Sequence, residues 1–124
     1  MVDIQTQYKT VNPENVNQWI FACNEDKFPE DGGLNVKLRG LQIAIFKFSR
    51  RNEWFATQNL CPHKKQMILS RGMIGSDSNE PKVACPYHKK TFSLYSGKNL
   101  NGNECDLATY PVKVENGKVH VGFE

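Results

Sequence analysis

Apolar residues in this chain recur in short runs of strand length and form no long helical stripe. The first run, Trp19-Ile20-Phe21-Ala22, predicts a strand over residues 17–23. Phe28-Pro29-Glu30-Asp31-Gly32-Gly33 reads as a turn. Residues 35–39 read as a short strand punctuated by Gly40. The most apolar run spans residues 41–48, with Leu41, Ile43 and Ile45 on one parity and Ala44, Phe46 and Phe48 on the other. A strand apolar on both faces belongs in the middle of the fold. Arg50-Arg51-Asn52 turns it into a partner at residues 53–57.

The second half is less regular. Residues 67–72 read as a connecting arm, 76–81 as a hydrophilic loop, and 82–84 and 91–95 as strands, with Ser96-Gly97-Lys98 as a turn. At the end, residues 110–115 and 118–123 flank Asn116-Gly117, the signature of a two-residue type I′ hairpin. That register sets Val112 opposite Val121 and Val114 opposite Val119 on one face, with Lys113 opposite His120 on the wetter one. His120 is therefore expected as a surface strand residue. The pattern predicts an all-β fold, a small antiparallel sandwich or barrel with an inserted subdomain. Residues 1–124 form one domain, with 1–15 as a polar tail or edge segment and 58–95 as the insertion.

Composition narrows the class. At 124 residues, 39% hydrophobic and 23% charged, the chain is globular and of single-domain size. A net charge of +3 is too small to imply nucleic-acid binding, and no basic run interleaved with aromatics supports it. No stretch approaches the ~18 apolar residues of a membrane span. No basic, apolar or twin-arginine leader precedes the first strand, so the expected location is cytoplasmic. In that compartment Cys23 and Cys105 are expected as plain thiols.

The chemistry sits in two short stretches, Cys61-Pro62-His63-Lys64 and Cys85-Pro86-Tyr87-His88-Lys89. Of the three histidines in the chain, two lie beside the two Cys-Pro pairs. Two thiolates and two imidazoles are the donor set of a Rieske [2Fe-2S] centre, in which two His replace two Cys on one iron. Cys61 and Cys85 would bind one iron, His63 and His88 the other. Pro62 and Pro86 stiffen the bends and hold the preceding cysteines extended. Zinc accepts the same donors, although zinc fingers usually take a Cys pair followed by a His pair. A Cys61–Cys85 disulfide would leave both histidines unexplained. Two ferric ions, two sulfides and two thiolates sum to zero, against −2 with four thiolates, so an electron is added more easily. Lys64, Lys65, Lys89 and Lys90 follow the histidines, with Arg71 and Lys82 near in sequence. They form either an ordinary solvated face or a positive docking surface. No nucleophile motif, P-loop or dinucleotide fingerprint is present, so the chain itself is expected to carry electrons without turning over substrate.

On these residues the chain resembles the Rieske-type small subunit of assimilatory NAD(P)H-dependent nitrite reductase. The resemblance rests on both Cys-Pro stretches, Leu69-Ser70-Arg71-Gly72, Gly75, Phe92-Ser93-Leu94, Gly97 and the ending Tyr110-Pro111-Val112-Lys113-Val114 with Asn116-Gly117. It implies a partner large subunit holding FAD, a [4Fe-4S] cluster and sirohaem, and reduction of nitrite to ammonium in nitrate assimilation. The alternatives are a Rieske ferredoxin serving an aromatic-ring-hydroxylating dioxygenase, or a zinc-bound or metal-free interaction domain. High-potential respiratory Rieske proteins resemble the chain in the ligands but add a disulfide between the loops, where this chain has Gln66 and Tyr87. They also place hydroxyl donors where it has Lys90 and Phe92. The expected potential is therefore in the lower Rieske range, roughly −150 mV toward zero.

Overall fold

The computed structural model describes residues 8–28, 31–48, 52–62, 66–77, 80–86, 90–100 and 106–124. Among these the strands run β1 (Gln18–Asn24), β2 (Asp31–Leu38), β3 (Leu41–Phe48), β4 (Glu53–Gln58), β5 (Leu60–Cys61) and β6 (Gln66–Met67). They continue as β7 (Met73–Asp77), β8 (Glu80–Ala84), β9 (Thr91–Ser93), β10 (Thr109–Tyr110), β11 (Val112–Glu115) and β12 (Lys118–Phe123). Short 3₁₀ turns and no α-helix appear among the described residues. The sheets are ordered β1-β12-β11, β10-β4-β3-β2, β5-β6 and β7-β8-β9, and every pairing is antiparallel. Among the described residues no helix is long and apolar enough to cross a membrane.

β3 lies between β4 and β2, as its two apolar faces predict. Ile43 and Ile45 enter a first core with Leu60, Tyr110, Val119 and Val121. Ala44, Phe46 and Phe48 enter a second with Leu69, Val83, Phe92 and both Cys61 and Cys85. The C-terminal hairpin has the expected register, Val112↔Val121, Lys113↔His120 and Val114↔Val119. Asn116 and Gly117 take φ of 53° and 75°, the two positive values that a type I′ turn needs.

Four local expectations change. Asp31, Gly32 and Gly33 belong to β2 and not to a turn. A Cβ on Gly33 would stand 2.8 Å from both the Phe46 ring and the Ser70 carbonyl, so this glycine permits close packing. Residues 76–81 belong to a hairpin, with Ser76 paired to Pro81 and Asp77 to Glu80. Residues 110–115 are broken at Pro111, where the chain passes from β4's sheet to that of β12. Proline donates no N–H to either ladder, while its carbonyl accepts from Gly122 N at 2.9 Å. β9 stops at Ser93, whose buried Oγ accepts from the Tyr95 and Ser96 amides at 3.2 and 3.4 Å and so turns the chain early.

Candidate metal centre

Each cysteine stretch is the mouth of a hairpin loop. Cys61 ends β5, and β6 returns beside it with Leu60 opposite Met67 and Cys61 opposite Gln66, closing residues 62–65. Cys85 follows β8, and its N–H donates to the Lys90 carbonyl at 2.8 Å, closing residues 86–89. The two loops therefore have equal span. His63, Lys64 and Lys65 in the first, and Tyr87, His88 and Lys89 in the second, lie outside the described residues.

Cys61 is 0% exposed and Cys85 1%, and both sit in the second core. Both are thiols in this structure, so the disulfide alternative is not adopted. A thiolate in an apolar core is costly unless a cation balances it. Two such sulfurs from paired loops are soft donors suited to iron or zinc. The described half of the donor set thus fits an iron–sulfur group. Phe92 lies in the same core, fully buried and with no hydroxyl to donate.

The loops are held by residues that the apolar pattern does not mark. Thr57, Gln58 and Asn59 are 0%, 0% and 1% exposed, directly before Leu60-Cys61. Gln58 Nε2 donates to the Leu60 carbonyl at 2.7 Å, while its Oε1 accepts from Ala108 N at 2.8 Å. The Asn59 carbonyl accepts from Ile68 N and Leu69 N at 3.0 and 3.1 Å, and its Oδ1 accepts from Ser70 N at 2.7 Å. These bonds tie the first loop to the arm that leads away from it. The arm then meets the second loop at Gly72, where a Cβ would stand 2.2 Å from the Ala84 carbonyl, one residue before Cys85.

His120 and Cys23 lie elsewhere. His120 is half-buried on β12, edge-on to Phe21 with ring centroids 5.9 Å apart, in a sheet that carries neither cysteine loop. Cys23 is a half-buried thiol on β1 whose pKa is raised by burial, and Cys105 lies outside the described residues. Arg71 is exposed, and Lys82 and Lys90 are half-exposed.

The fold and site define a small antiparallel β protein that buries two thiols from equal hairpin loops in one core. The sequence pattern of the Rieske-like [2Fe-2S] domain matches residues 18–122, and the chain belongs to that family. It is 38% identical over 104 residues to the Klebsiella oxytoca nitrite reductase [NAD(P)H] large subunit, matching 84% of this chain and 11% of that one. The chain thus spans about a tenth of the length of the first curated relatives it matches, 11% and 8%. It is 34% identical to the ferredoxin component of the naphthalene 1,2-dioxygenase/salicylate 5-hydroxylase systems of Ralstonia sp, covering 86% of this chain and 96% of that one. The solution structure of the nitrite reductase [NAD(P)H] small subunit from Erwinia carotovora superposes with a TM-score of 0.74 at 29% identity. That match covers 87% of this chain and 83% of that one. The all-β, Rieske-like expectation is met.

Proposed function

We propose that Cys61, His63, Cys85 and His88 hold a Rieske [2Fe-2S] cluster and that the chain is an electron-transfer component of NAD(P)H-dependent nitrite reductase. The observation that carries this is the pair of equal-span hairpin loops, each placing a buried thiol in one core. When bound, the group supplies reversible one-electron storage. The chain's own residues do the rest. Cys61 and Cys85 anchor from the apolar side, and His63 and His88 complete the donor set as neutral imidazoles. Asn59 and Gln58 fix the first loop, and Gly72 lets the arm reach the second. Residues 1–124 act as one Rieske-type domain, with 58–95 as the cluster-bearing subdomain and 1–15 as its leading segment.

The partner is the large subunit of nitrite reductase, carrying FAD, a [4Fe-4S] cluster and sirohaem, and the complex is cytoplasmic. The Klebsiella oxytoca relative supports this partner, since a related domain lies inside a far longer nitrite reductase chain. Lys64, Lys65, Lys89 and Lys90 form the docking face, and the two histidines stand among them in sequence. A second reading, a ferredoxin feeding a ring-hydroxylating dioxygenase, is favoured by the 34% identity to the Ralstonia component over nearly its whole length. Mixing the reduced, reconstituted chain with each partner separates the two. Oxidation by a sirohaem nitrite reductase subunit, slowed as ionic strength rises, supports the first. Oxidation by an oxygenase alone overturns it.

A further inference from the structure

The family match begins at residue 18, and the residues just before it are docked against the domain. Tyr8 and Val11 are 6% and 8% exposed and belong to the first core. Val11 N donates to the Thr109 carbonyl at 2.9 Å, Thr109 N returns to Thr10 Oγ1 at 3.2 Å, and Asn17 N reaches the Phe123 carbonyl at 2.8 Å. This strap delivers one hydroxyl to the frame of the first cysteine loop. Tyr8 Oη accepts from Gln42 N at 3.1 Å and lies 3.9 Å from Met67 Sδ, to which it donates.

Both contacts end on residues that position Cys61. Met67 is opposite Leu60 in the strand pair that closes residues 62–65. The Gln42 carbonyl accepts from Asn59 N at 2.9 Å, and Asn59 in turn holds Ile68, Leu69 and Ser70. Residue Gln42 is thus held at its backbone N–H by Tyr8 and at its carbonyl by Asn59. We propose that Tyr8 is a positioning residue for the first cysteine loop, acting through Gln42–Asn59 on one side and Met67 on the other. Control of the loop then extends to a segment outside the family-matching region. Only the cluster-retention and EPR parts of the test rest on the proposed ligand set.

The test is Tyr8→Phe in the full chain. Phenylalanine keeps the ring in the core and removes only the hydroxyl, leaving the Gln42 N–H without its acceptor. Amide exchange at Gln42, Asn59, Ile68 and Leu69 should quicken by about five- to tenfold, while Val114 and Val119 in the distal hairpin keep their rates. After reconstitution with iron and sulfide, a chelator should strip the variant several-fold faster. The EPR lines of the reduced variant should broaden. Met67→Leu conserves volume, removes the sulfur acceptor alone, and should move the same amides less; it decides the matter if Tyr8→Phe does not fold. Uniform acceleration at every amide overturns the proposal, as do unchanged rates at those four or an equal stripping rate. If the wild-type chain takes up no iron, the ligand assignment falls, and the exchange rates alone decide the role of Tyr8.

Discussion

Tyr110 is 6% exposed, and its hydroxyl has no hydrogen-bond partner in good geometry. Burial raises its pKa well above the ordinary value of 10.0, opposed by the neighbouring Lys9 backbone. The unfolded chain releases this proton near pH ~10 while the folded chain keeps it. Its contribution to stability is therefore full below that pH and is lost as the pH rises beyond it. Tyr110→Phe should flatten the alkaline fall in stability while changing neutral stability by less than about 1 kcal/mol; denaturant melts on either side of pH ~10 measure both. Cys61→Ser should abolish the visible absorption and loosen residues 58–95, because metal binding and local folding are coupled. A retained spectrum with unchanged amide protection would refute the ligand assignment. The cysteines could be picked out from sequence because Cys-Pro with a nearby His is rare chemistry. The supports could not. Gln58 and Asn59 are polar and follow the end of the expected strand, and their burial is explained by long-range partners such as Ala108, 50 positions away, and the Ser70 amide.

The elements were legible where local chemistry decides them. Asn116-Gly117 selects its turn and so fixes the register of β11 and β12 without help from the rest of the fold. β3 announces its central place by being apolar on both parities. β7 was not legible, since Met73-Ile74-Gly75-Ser76-Asp77 has no alternation and gains its strand from pairing with β8. Gly33 looked like a turn residue because nothing in the sequence reveals a ring and a carbonyl pressed against it. Gly72 is the same case at the hinge of the two loops. Gly72→Ala drives a Cβ into the Ala84 carbonyl and should cost about 1–3 kcal/mol. The loss should concentrate in amide protection of β8 and β9, and unchanged protection there would show that the arm has room to move.

At the scale of the molecule, two cores share one central strand, and both thiols belong to the second. Damage to the first core should therefore reach the cysteine loops through β3, the Gln58–Asn59 bonds, Leu60 beside Cys61 and the Tyr8–Met67 contact. Phe92 is buried in the same core as the two thiols and has no hydroxyl to donate. A redox titration should give a midpoint between roughly −150 mV and zero, and His88→Cys, which adds a negative charge, should shift it lower. The most direct measurement is nitrogen hyperfine spectroscopy on the reduced, iron-loaded chain. Coupling to two imidazole nitrogens is expected, one lost in His63→Cys and the other in His88→Cys. An iron centre with no nitrogen coupling would contradict the four-residue ligand set, and a chain that binds zinc in preference to iron and sulfide would contradict the cluster.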